Sequence, residues 1–390
     1  MLEVLAAQPA DALLSLIKLH NADPRPTKID LGVGVYRTAG GDTPVFKAIK
    51  AAEARLLADQ DTKSYLGPDG DMGFVNALIP YVFGADFDAA RVAGMQTPGG
   101  TGAVRLAIEV AKRAGALRVW MGVPSWPNHA QIDTAAGLEL KTFVHGTADG
   151  TADFEVLSAV LKNAQPGDAV LLHGCCHNPT GVDYSPAQWD QIAALLRETG
   201  VFPIIDLAYQ GLGDGMEADA YGLRAVLAQV PEALVAYSCD KNFGLYRDRV
   251  GAFYAVSGDA SALSNAMGNG AAIARASWSM PPDHGAAAVR LVLADPALTA
   301  LWLGELDDMR ARMASVRARL AAAQTVGAIS MAPLGTQKGL FSMLPLTPEM
   351  ILTLREGHGI YMAGSGRINI AGLTDGNIEA FISALRDVAG

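Results

Sequence analysis

Short β-rich apolar runs recur through the middle of the chain: "ALRVWMGV" (116–123), "DAVLLHGC" (168–175), "VFPIIDLAY" (201–209), "ALVAYSCD" (233–240) and "VGAFYAV" (250–256). Each is bounded by turn residues, the mark of strands rather than helices. Between some of them the apolar positions switch to a helical period, as in "TGAVRLAIEVAKRAG" (101–115) and "SPAQWDQIAALLRETG" (185–200). The second opens on Ser-Pro and closes on Gly, a start and a stop signal for a helix. Strands alternating with helices predict βαβ units and a mostly parallel sheet with helices on its faces, an α/β fold.

The chain ends follow a different pattern. A long helical tract includes 301–324, and short strands follow in "GLFSMLP", "GIYMA" and "RINIAG" before a closing helix, "NIEAFISALRDVAG". The early segment "IDLGVGVYR" (29–37) stands apart from the βα array. The expected organisation is an N-terminal arm over 1–12, a large α/β domain over 45–305, and a smaller α+β domain built from 13–44 and 306–390.

Composition narrows the classes. With 390 residues, half of them hydrophobic, the chain has the material for a large core and two domains. The net charge is −10 and the basic residues are scattered, which argues against nucleic acid or an anionic membrane as partner. Three cysteines, Cys175, Cys176 and Cys239, form no disulfide framework and suit a reducing compartment. The N-terminus has neither a basic flank nor a small-residue cleavage site, and no apolar stretch reaches spanning length uninterrupted. A cytoplasmic location is expected.

In an open parallel sheet, ligands gather beyond the carboxyl ends of the strands. Asn178, Asp206 with Tyr209, and Lys241 all fall there, each after a different strand. Singly they read as a turn residue, a cap and a surface charge; together they point to a convergent polar site. "QTPGGTGAVRLA" (96–107) adds glycines followed by Thr101, expected at a helix N-cap, where free N–H groups suit a phosphate. Neither a Walker A loop nor a GxGxxG fingerprint is present. "HGCCHNPTG" (173–181) offers His173, Cys175, Cys176 and His177 to a metal, but neighbours on an extended segment point to opposite faces, so a metal site is not expected.

An amine, a carboxylate, an amide and a phosphate cradle on one sheet edge suggest pyridoxal 5'-phosphate. "LGVGVYR", "QTPGGTGA", "SWPNH", "HGCCHNPTG", "DLAYQG", "KNFGLY" and "SGRINIAG" also occur in the order and spacing of one family. Over nearly its whole length the chain resembles the class I (fold-type I) aspartate and aromatic amino-acid aminotransferases. The resemblance implies that Lys241 forms the Schiff base with the cofactor and shuttles a proton. It makes Asp206 the partner of the pyridine nitrogen, with His129 behind it, and Tyr209 and Asn178 the donors to the ring oxygen. Trp126 would stack on the ring, while Gly100, Thr101, Ser238 and Arg249 would hold the phosphate. Tyr65 would reach that phosphate, and Arg275 the substrate's distal carboxylate, from the second subunit of a homodimer. Arg367 would clamp the α-carboxylate, assisted by the backbone around Gly34, and Trp126 and Asn178 would also line the substrate site. The implied reaction is ping-pong transfer of the amino group of aspartate or an aromatic L-amino acid to 2-oxoglutarate or oxaloacetate.

Two departures from the family pattern stand out. Asp240 precedes Lys241 where the family commonly has serine, and in an extended backbone it would share a face with Ser238 and look towards the phosphate. It either pairs with an arginine such as Arg249 or turns away. Trp278 and Met280 replace the tyrosine and asparagine often found in relatives, which favours aromatic substrates beside the dicarboxylates that Arg275 would accept. The rival readings are a lyase or decarboxylase using the same cofactor, and a non-catalytic homologue weakened at the phosphate site by Asp240.

Overall fold

The computed structural model describes residues 1–7, 12–147 and 149–390. Residues 8–11 of the expected N-terminal arm lie outside the described residues. Two compact units divide the chain: Pro44–Arg312 with Gln337–Gly339, and Met1–Thr43 with Met313–Thr336 and Leu340–Gly390.

The larger unit is built on a central sheet. Among the described residues its strands are β1 (Val92–Pro98), β2 (Arg118–Val123), β3 (Glu139–Val144), β4 (Asp168–His173), β5 (Phe202–Leu207), β6 (Glu232–Ser238) and β7 (Val250–Ser257), in the order β1-β7-β6-β5-β4-β2-β3. The five from β6 to β3 are mutually parallel, whereas β7 runs antiparallel to both β6 and β1. Fully buried strands such as β7, with no exposed position along its length, explain why these segments read as continuous apolar runs rather than alternating ones.

Two strands were not anticipated. β1, "VAGMQTP", is short of β-branched residues, and β3, "ELKTFV", lies at the sheet edge and is half polar. Helix α1 (Gly99–Arg113) starts two residues earlier than expected, so Thr101 lies inside its first turn and Pro98 holds the cap position. A cap placed on Thr101 fails because the glycines before it are themselves helical. Helix α2 (Pro186–Thr199) matches its signals closely. Ser185 and Gln188 close a capping box, and Gly200 ends the helix at φ 71°.

This topology makes one edge of the sheet a meeting place. Because β4, β5 and β6 are parallel, their carboxyl ends lie together. The antiparallel turn of β7 brings its first residue there as well: Val250 is registered with Pro98, and Gly251 with Ser238. The direction of strand addition also reverses at β2, which has β3 on one side and β4 on the other. Such a switch point leaves a crevice at the carboxyl ends.

In the smaller unit, Ile29–Asp30 pairs in parallel with Ile360–Tyr361, and Phe341–Met343 pairs antiparallel with Arg367–Asn369. Leu31, Leu354, Ile368 and Phe381 contribute to a core of its own. Among the described residues no single helix is long and apolar enough to cross a membrane.

Candidate active site

Lys241 lies three residues beyond β6 and is half-buried. Burial pulls its pKa below the usual lysine range; Asp240 and Asp206 oppose that fall, and Arg249 adds to it. An amine so shifted gives up its proton, and so becomes nucleophilic, more readily than a solvated one. Its Nζ lies 5.2 Å from the centroid of the Tyr209 ring.

Asp206, near the end of β5, is buried and hydrogen bonded on one side only. His129 Nε2 lies 2.9 Å from Asp206 Oδ2, and Asp206 Oδ1 has no partner. Ser125 Oγ is 3.0 Å from His129 Nδ1 and 3.0 Å from His173 Nε2. A neutral His129 that donates from Nε2 must accept at Nδ1. Ser125 then donates to His129 and accepts from His173. Burial holds His173 well below the ordinary imidazole range, which keeps it neutral in this relay. Ser125 belongs to "SWPNH" and His173 to "HGCCH", yet neither role is visible in the sequence, because strands β2 and β4 must first be neighbours.

Asn178 follows β4, and its Nδ2 donates to Tyr209 Oη at 3.4 Å while its Oδ1 is buried without a partner. Trp126 caps the helix Pro127–Ala136 and packs edge-on against His129, with ring centroids 5.1 Å apart. Among the described residues the four "HGCCH" side chains do not gather into one ligand set, as expected, but the reason given, an extended backbone, needs correction. Cys176 adopts φ 50°, so the backbone is not extended there. The His173 and His177 rings come within 4.1 Å, and ligand atoms of Cys175, Cys176 and Asp219 lie within 4.8 Å of one another. Asp219, however, already accepts from the backbone N–H groups of Gly211, Gly213 and Asp214, and so serves to tie a loop.

The anion cradle is assembled where β1, β6 and β7 meet. Gly99 and Gly100 open α1, with Gly99 at φ 71°. A Cβ on Gly99 would fall 2.5 Å from Arg249 Nη2, and one on Gly100 would fall 2.8 Å from Ser238 Cβ, so only glycine allows this approach. Free N–H groups at the start of a helix, the Ser238 hydroxyl and the Arg249 guanidinium form a donor set suited to phosphate. Of the two arrangements open to Asp240, the structure has the ion pair: its Oδ2 accepts from Arg249 Nη1 at 2.5 Å, and its Oδ1 from the Val250 N–H at 3.2 Å.

In the smaller unit Arg367 donates from Nη2 to the Gly32 carbonyl at 3.0 Å, and its guanidinium carbon lies 4.4 Å from the Phe341 ring centroid. Phe341 also closes on Gly34, where a Cβ would meet its Cζ at 2.6 Å. Asn369 Nδ2 donates to the carbonyls of Val33 and Val35, which fixes that loop beside Arg367. Its part in holding the loop was not foreseen. Tyr65 is 93 % exposed. Arg275 is also exposed and donates to Ser279 Oγ, while Trp278 is half-buried with Nε1 unpartnered and Met280 Sδ accepts from the Leu66 N–H.

A half-buried lysine of lowered pKa, a histidine-backed carboxylate with one open oxygen and a phosphate cradle on one sheet edge define an enzyme built around a phosphorylated carbonyl cofactor. The donor set fits pyridoxal phosphate: acceptor atoms on Asp206 and Asn178 stand unpartnered, and an anion site lies beside the amine. The family model for aminotransferase class I and II matches residues 26–385, and the chain belongs to this pyridoxal-phosphate-dependent family. It is 51% identical to the tyrosine aminotransferase of Rhizobium meliloti (strain 1021) over 96% of both chains. It is 44% identical to the aspartate aminotransferase of Escherichia coli (strain K12) over 99% of both. An aromatic-amino-acid aminotransferase from Burkholderia pseudomallei, solved covalently bound to pyridoxal phosphate, superimposes with a TM-score of 0.96 at 33% identity, covering 100% of both chains. The chain is therefore an aminotransferase.

Proposed function

We propose that the enzyme transfers the amino group of aspartate and of aromatic L-amino acids to 2-oxoglutarate or oxaloacetate in two half-reactions of a ping-pong cycle. The observation that carries this reading is the half-buried Lys241, its amine's pKa lowered by desolvation, on the same sheet edge as the buried Asp206 and Asn178 and the glycine cradle. Pyridoxal phosphate supplies the aldehyde that carries the amino group between half-reactions and the ring that accepts electrons from the substrate Cα.

Lys241 Nζ is the attachment point for that aldehyde. The same amine would serve as the base that moves the proton of the substrate Cα. Asp206, held by His129, would pair with the pyridine nitrogen and favour its protonated form. Asn178 Nδ2 and Tyr209 Oη would donate to the ring oxygen, Trp126 would cover the ring, and Gly100, Thr101, Ser238 and Arg249 would hold the phosphate. Arg367 receives the α-carboxylate through its planar fork, with the backbone at Gly34 beside it.

The reading includes a homodimer in which Tyr65 and Arg275 serve the partner's site. Their exposure on the single chain supports this. The half-buried Trp278 favours aromatic side chains, and Arg275 favours dicarboxylates.

The test is to load the purified protein with cofactor and add L-aspartate or L-phenylalanine alone. Stoichiometric 2-oxo acid with pyridoxamine phosphate, reversed by 2-oxoglutarate, is the expected result. Release of ammonia or carbon dioxide would replace transamination with lyase chemistry. Lys241→Ala should lose both the reaction and the covalent attachment of cofactor.

A further inference from the structure

Asp240 presents an electrostatic contradiction. Its carboxylate is 4 % exposed, and it sits at the cradle: Oδ2 lies 3.1 Å from where a Cβ on Gly99 would be. Both oxygens are engaged, one by Arg249 and one by the Val250 N–H, while its own N–H donates to Ser238 Oγ at 3.3 Å. Burial pushes the carboxyl's pKa up on balance, and the charges of Lys241 and Arg249 oppose that rise. Of the two donors that hold the Asp240 carboxylate, Arg249 is one that a phosphate in the cradle would need.

We propose that Asp240 is a resident counter-anion of the phosphate cradle, which competes with the cofactor's phosphate for Arg249 and so lowers cofactor affinity and eases its exchange. This rests on reading the cradle as the pyridoxal-phosphate site. The Arg249 side chain is 40% exposed and adopts φ 55°, at the end of a loop, whereas the Asp240 side chain is 5% exposed. The arginine can turn between two anions; the aspartate stays. Bound phosphate thus faces a fixed like charge in a partly desolvated site, where Coulomb repulsion is poorly screened. Without cofactor the same carboxylate stabilises the fold, because it neutralises Arg249 and satisfies the Val250 N–H.

One substitution should consequently move two measurements in opposite directions. Asp240→Asn keeps the shape and the acceptor for Val250 but removes the charge; Asp240→Ser removes both acceptors and leaves a hydroxyl. In full-length protein stripped of cofactor, the melting temperature of both variants should fall below the native value. Their dissociation constant for pyridoxal phosphate should tighten at least tenfold, about 1.4 kcal/mol. Inorganic phosphate, which cannot react with Lys241, should raise the melting temperature of the variants more than that of the native protein. Pyridoxal, which lacks the phosphate, should bind all three equally.

Unchanged or weaker binding of pyridoxal phosphate in the Asn variant would overturn the proposal and make Asp240 a residue that orients Arg249. Equal tightening for pyridoxal would place the effect at Lys241 and overturn it too. The underlying reading fails separately: if Lys241→Ala still binds pyridoxal phosphate with the absorbance of the native complex, the cofactor site itself is misassigned.

Discussion

Asp133 should make the stability of the larger unit fall as pH rises, and the size of the effect follows from its surroundings. It lies in the helix Pro127–Ala136, one turn beyond His129, fully buried, with neither carboxylate oxygen hydrogen bonded. Burial holds its pKa at about 6 against an ordinary 3.8, although the nearby His129 pulls it down. A shift of that size corresponds to roughly 3 kcal/mol between the protonated and ionised forms. Because the folded-state pKa lies above the unfolded one, the native state binds more protons than the unfolded chain between those two values. Stability therefore declines as pH rises through that window and is flat above it. Asp133→Asn carries no such dependence, and its unpartnered amide contributes a term that does not vary with pH. The variant's stability relative to the native protein should rise by roughly 1.5 kcal/mol between about pH 5 and pH 8. Calorimetric midpoints of the two proteins across that range would show the gap widening by roughly 1–3 °C. A gap that stays constant with pH would mean that Asp133 ionises in the folded protein as readily as in the unfolded chain, through a partner or solvent, and the argument from burial would fail.

Arg367→Lys should raise KM for amino donors by roughly 10- to 100-fold, because an ammonium cannot reproduce a bidentate pairing worth about 1.5–3 kcal/mol per charged hydrogen bond. Steady-state kinetics with aspartate and phenylalanine would check this, and an unchanged KM for both would remove Arg367 from substrate binding. Gly99→Ala should weaken pyridoxal-phosphate binding at least tenfold, about 1.4 kcal/mol, since the added Cβ meets Arg249 Nη2 at 2.5 Å and the residue sits at φ 71°; a cofactor titration reads the effect. Ser185→Ala should cost about 1 kcal/mol by opening the capping box with Gln188, with no change in cofactor affinity.

What could be read in the sequence was what local chemistry encodes. The buried parallel strands announced themselves because both faces are covered, so β4 and β5 carry almost no polar interruption. α2 was legible to the residue because Ser185 and Gly200 are themselves its boundaries. β1 and β3 escaped for the opposite reason. Their places are set by neighbours, β7 and β2, and not by their own β-propensity. The start of α1 was misplaced because two glycines, poor helix formers, begin it, and packing against Ser238 and Arg249 overrides propensity there.

The same division runs through the site. Lys241, Asp206 and Asn178 stood out as candidates because each lies at or just beyond the end of a readable strand, and strand ends of a parallel sheet converge by rule. The relay from Asp206 through His129 and Ser125 to His173 depends on β2 lying beside β4, a fact of strand order that no local pattern carries. Asp240 belongs to both kinds. Its chemistry is plain in "SCDKN", but whether it faces a cation or turns away was undecided until the β6–β7 connection placed Arg249 against it. A local motif thus names which groups are available, and topology decides which of them meet. A charged residue out of keeping with its motif is therefore best judged by the partner that the fold brings to it.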